Sequence, residues 1–135
     1  MAADVVKVTD TGLSITTNRL KGSGTAPDYG GWGTGTTAAA NGDTGLETPR
    51  NEARVQGTAT QQQTNTANDT HQVVVELTCA ATVAAITEFG LFDGAGTGTP
   101  PTGANLFSRG TFDVLNLSVG NKIEFTHKTV YDQAA

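Results

Sequence analysis

The chain has 135 residues, of which 36% are hydrophobic, 6% aromatic and 16% charged, with a net charge of −5. This length suits one domain with a lean core, for which help from subunit association is an expectation. The acidic balance and scattered Lys and Arg exclude the basic stripe that phosphate neutralisation needs, so no nucleic-acid partner is expected.

Polarity comes mostly from neutral groups. Thr and Val favour strands and the 17 glycines favour turns. One cysteine, Cys79, excludes an internal disulfide and any zinc spacing. No run approaches the ~20 apolar residues of a membrane-spanning helix. The opening "MAADVVKVTD" has neither the basic region nor the apolar run of a signal peptide. The expectation is a product made in the cytoplasm.

Along the chain, Val5 to Val8 reads as a first strand, within an N-terminal segment 1–10 expected to serve as an arm. "TGLSITTNRLKGSGT" alternates weakly but also spaces Leu13, Thr16, Thr17 and Leu20 near helical period, with Asp10, Thr11 or Ser14 as caps. It predicts a short helix or turn. In "YGGWGTGTT", Gly31, Gly33 and Gly35 alternate with Trp32 and Thr34, which is strand spacing. Segment 36–51 reads as a long connecting arm. Glu52 to Thr66 alternates with Ala53, Val55, Gly57 and Ala59 on one face, predicting a half-buried strand. A turn at Asn65 to Thr70 returns it into "HQVVVELTC", whose Val73, Val75, Leu77 and Cys79 share a face.

Ala84 to Asp93 is apolar on both faces and reads as a central strand. Asn105 to Ser118 carries one or two strand pieces. Lys122 to Asp132 places Ile123, Phe125, His127, Thr129 and Tyr131 on one face. Short strands between turn signals predict an all-β fold, a single antiparallel β-sandwich or jelly-roll-like domain spanning 1–135, with one short helix near the N-terminus.

Chemical motifs are weak. G-x-G-x-G occurs twice, but neither run opens a helix or is followed by G-K-[ST], so no phosphate cradle is expected. Asp93 lacks the further carboxylates of a calcium loop. His127 falls on an inward face and reads as a core or interface residue, and no local motif supports a Ser-His-Asp set. Glu88 and Arg109 each lie within apolar strands. They predict a buried structural ion pair rather than glycosidase carboxylates, which need a sugar-holding cleft. Tyr29 and Trp32 are the candidate anchors, with Trp32 expected in the core rather than at a subunit contact. No catalytic residue, cofactor or metal is expected.

The phrases "NRLKGSGTAPDYGGWGTGTT", "DTGLETPRNEARVQGTATQ", "ITEFGLFDG" and "LFSRGTFDVLNLSVGNKIEFTHKTVYD" together resemble a group of small structural proteins from tailed bacteriophages. These are described as capsid decoration (cement) proteins or as head-fibre or tail-fibre-like proteins. The resemblance runs over roughly residues 12 to 132. It implies a non-enzymatic virion protein on the capsid exterior, partnered by the major capsid protein lattice and by itself as a homo-oligomer such as a trimer. The alternative it leaves open is a tail, collar or fibre component that binds host-surface glycans.

Overall fold

A computed structural model describes residues 3–133. Two antiparallel sheets pack face to face. Sheet A has the order β1 (Ala3–Val8), β7 (Leu106–Leu117), β6 (Ala84–Phe92), β2 (Tyr29–Gly33), β3 (Val55–Gln56). Sheet B has the order β4 (Thr58–Gln62), β5 (Thr70–Thr78), β8 (Lys122–Val130). One helix, α1 (Asp10–Lys21), follows β1. The fold is therefore an all-β sandwich with one short N-terminal helix.

Alternation explains the core. Val73, Val75 and Leu77 of β5 point inward and are essentially solvent-free, as are Ile86 and Leu91 of β6. Phe125 of β8 stacks on Phe89 with ring centroids 4.4 Å apart and meets Trp32 edge-on at 6.4 Å. Cys79 sits in this cluster as a small buried residue.

Four regions differ from the sequence-based expectation. Of segment 1–10, Ala3–Val8 is no free arm, because it pairs with β7 along the edge of sheet A, while residues 1 and 2 lie outside the described residues. The helix is capped by Thr9, not by Asp10, Thr11 or Ser14. Its Oγ1 accepts from Gly12 N–H at 3.0 Å and donates to the Leu106 carbonyl at 2.7 Å. Gly22, in the left-handed region at φ 96°, ends the helix. Leu13 and Leu20 stay exposed, since the helix touches the sandwich only through a narrow strip at Gly12 and Ile15.

The strand expected from Glu52 to Thr66 is shorter and broken. Gly57 donates its N–H to Asp28, and there the chain passes from sheet A to sheet B. Val55 and all of β4 are exposed, because this strand forms the edge of both sheets. Segment 36–51 is a folded strap across the outer face of sheet A. Thr34 N–H donates to Thr48 O, Arg50 N–H donates to Trp32 O, and Gly33 bridges Pro49.

The apolar residues on both faces of β6 come from a register slip between Ile86 and Glu88. Without it, Ile86 and Glu88 would share a face. With it, Ile86, Phe89 and Leu91 all face the core, and Glu88 turns to the opposite side under the strap.

Candidate functional site

The structure brings Glu88 and Arg109 together. Arg109 Nε lies 2.8 Å from Glu88 Oε2, with both side chains essentially buried. A buried charge is costly unless every lone pair is used, and here they are. Glu88 also accepts backbone N–H bonds from Gly35 at 3.1 Å, Glu47 at 3.0 Å and Thr48 at 2.8 Å. Arg109 reaches Asp43 at 3.1 Å and the Thr37 carbonyl at 2.9 Å. Burial acts to lower the Arg109 pKa, but Glu88 and Asp43 outweigh it and hold the guanidinium above its ordinary value. The pair pins both ends of the strap.

Trp32 is 2% exposed, on the inner face of β2. Its indole N–H donates to Glu52 Oε1 at 3.1 Å. Burial raises the Glu52 pKa, but Arg50 and the Ala80 and Ala81 amides bring it below the ordinary carboxylate value. Tyr29 lies at the start of β2, half-buried, in register with Gln56 and Phe92. The two candidate anchors thus have separate settings, and Trp32 is a core residue.

The glycines of "YGGWG" make room for chains that cross them. A side chain at Gly33 would collide with the Thr48 carbonyl and Glu88. Over Gly31 lies the stem of Arg54, whose guanidinium stacks 3.5 Å above the Phe92 ring. Arg54 Nη1 donates to the carbonyls of Gly103 at 2.8 Å and Gly94 at 3.3 Å. Burial lowers the Arg54 pKa, opposed by nearby Asp93. Beside this stack the strap and the 93–105 loop bound an open cleft of about 330 Å³, with Leu46, Arg50 and Pro101 on its walls. No sequence motif signals it, since Arg54 and Phe92 are far apart in the chain.

The histidines lie on sheet B. His127 faces inward against Phe107, with ring centroids 6.1 Å apart. Burial, and then the charge of His71, push its pKa down to about 4. Its Nδ1 and the nearby Thr129 Oγ1 have no hydrogen-bond partner among the described residues. His71 is lowered by burial, partly opposed by Asp28. Asp69, at the β4–β5 turn, is held below the usual carboxylate range by the Thr66 amide, the Thr70 hydroxyl and the Thr64 and Asn65 amides. It closes a turn, as does Asp93, which accepts from Asn105. Among the described residues no three His, Cys, Asp or Glu gather as metal ligands, and no helix is long and apolar enough to cross a membrane.

A separate feature is the open side of the sandwich. The β3–β4 corner closes one side. On the other, a trough of about 470 Å³ runs between the edge of β8 and the overhanging β7 and β1. Val6, Phe112, Leu115, Ile123, Phe125 and His127 line it. Phe112, Leu115 and Ile123 remain partly exposed there, and Val6 is 51% exposed. Apolar surface thus lies directly beside a strand edge that is unpaired among the described residues.

The comparisons find nothing. Neither protein-family models, nor curated proteins, nor solved structures match the chain.

Proposed function

We propose that the chain is a non-enzymatic virion protein of a tailed bacteriophage, which decorates the capsid exterior and bridges neighbouring capsid subunits. The supporting observation is the open trough. A clamp between subunits needs unpaired backbone and apolar surface side by side, and the edge of β8 offers both. The lean composition favours further burial through a homo-oligomer such as a trimer. Individually weak contacts are enough on a lattice, because repeated engagement raises avidity. The Glu88–Arg109 pair fits this reading, since its charges are spent on holding the strap.

The test is co-sedimentation of purified protein with phage capsids stripped of accessory proteins. Saturable binding at a fixed ratio to capsid subunits supports the reading. Absence of binding to capsids, with binding to tails or host cells, overturns it. The second reading is a tail, collar or fibre component that binds a surface glycan. The Arg54–Phe92 cleft favours it, because an oriented guanidinium beside an open pocket suits polar ligands.

A further inference from the structure

Sheet B has three strands and sheet A has five. β5 lies against β2 and β3. Phe125 of β8 touches Phe89 of β6 and Phe112 of β7. The next position in sheet B, beside β8, therefore lies above β7 and β1, over the trough.

The edge of β8 is set up to receive a strand. Tyr131 N–H donates to Asp69 O, and Asn121 O accepts from Cys79 N–H. Odd-numbered positions of β8 thus turn their backbone groups toward β5. By alternation Lys122, Glu124 and Thr126 turn theirs outward. The side chains of Ile123 and Phe125 point down beside the trough.

We propose that this slot takes one extended segment of a partner protein, added to β8 as a fourth strand of sheet B, with an apolar–basic–apolar alternation. The inference rests on the capsid reading for its partner, an extended arm of a neighbouring capsid subunit. Three observations define that occupant. Antiparallel pairing of β8 with β8 of another copy, about a two-fold axis normal to the sheet, would drive the two overhanging β7–β1 edges into the same space, so a strand with no sheet attached fits the slot better. Apolar side chains on that strand would fall onto Val6, Phe112 and Leu115. Charge fixes the residue between them. Glu124 stands directly across from Glu76, whose one ion pair goes to Lys122 at 3.1 Å. Glu124 has no ion pair among the described residues. A Lys or Arg opposite Glu124 relieves this like-charge neighbour. Beyond His127, α1 and Phe107 occupy the space between the sheets. The slot therefore holds about five residues, or ~17 Å of strand.

The test uses the full chain and a capped synthetic peptide, Thr-Val-Lys-Val-Thr, with amide hydrogen exchange read by NMR. The Glu124 and Thr126 amides are expected to exchange rapidly in the free protein and to become protected at millimolar peptide. Thr126→Pro removes an outward N–H that the β5 ladder does not use, a substitution an edge strand tolerates. It is expected to keep the parental melting temperature and weaken the peptide about tenfold. Val6→Glu, at an exposed position, serves as a second variant should the proline disturb the strand, with the same loss expected. Absence of protection at Glu124 and Thr126, or unchanged binding by the folded variants, overturns the slot. Stripped capsids separate the two claims. Folded Thr126→Pro that binds capsids like the parent overturns the slot and leaves the decoration reading standing. A parent that takes up the peptide but ignores capsids overturns the decoration reading and its capsid arm, and leaves the slot.

Discussion

The Glu88 carboxylate and the Arg109 guanidinium, 2.8 Å apart and essentially without solvent contact, hold a strap in place across the outer face of sheet A. Removing Glu88 leaves the buried Arg109 guanidinium with only Asp43 and the Thr37 carbonyl to meet it, and leaves three backbone amides without their acceptor. Glu88→Ala is expected to cost about 3–5 kcal/mol, measured by urea unfolding. Limited proteolysis should then cut within residues 36–47, whose two ends Glu88 no longer pins. A cost under about 1 kcal/mol would show that the strap is held elsewhere.

Trp32 and Tyr29 should behave differently although they share β2. Trp32 is buried against Phe125 and donates to Glu52. Trp32→Ala is expected to lose about 3–5 kcal/mol, which threatens folding of a lean domain. Tyr29→Ala, at a half-buried position, should cost about 1 kcal/mol. Thermal melts followed by circular dichroism check both. A folded Trp32→Ala protein of parental stability would move Trp32 from the core to a contact role.

Gly12 lies inside α1, where alanine ordinarily gains about 1 kcal/mol. Here a Cβ would run into the Phe107 carbonyl and Val8. Gly12→Ala is therefore expected to lower stability by about 1–3 kcal/mol. A raised melting temperature would show that α1 stands off the sandwich.

The pH dependence follows from His127. Burial, then the nearby His71, lower its pKa to about 4 from an ordinary 6.5. The folded state thus favours the neutral ring, and the unfolded chain takes up the proton first as pH falls. Stability from this group is complete above about pH 6.5 and is lost between there and pH 4, by about 2 kcal/mol at pH 5. His71, also lowered by burial, adds in the same direction. Urea midpoints at pH 7 and pH 5 measure the loss. His127→Gln should flatten most of it, and an equal slope in that variant would remove His127 as the cause.

Much of the fold was legible because alternation carries directly into burial. Val73, Val75 and Leu77, or Ile123 and Phe125, share a face in the sequence and in the structure. The hairpin turn at Asn65 to Thr70 was equally clear. The misses have local causes. Thr9 caps α1, yet it precedes the helix beside three other candidate caps. The slip at Ile86/Glu88 sets two steps of β6 against four of β7, and period-two reading cannot separate the resulting change of face from a strand buried on both faces. The strap looked like an open arm because its hydrogen bonds go to Glu88 and β2, both distant in sequence. The trough was not legible at all, since it depends on which strands sheet B lacks.

The most direct test of the account is electron cryomicroscopy of stripped phage capsids incubated with this protein. The account predicts density at symmetry-related positions outside the shell, with the β8 and β1 side of the sandwich facing a capsid subunit. Density confined to the tail, or a capsid-bound protein with that side turned to solvent and an unrelated face against the shell, would contradict it.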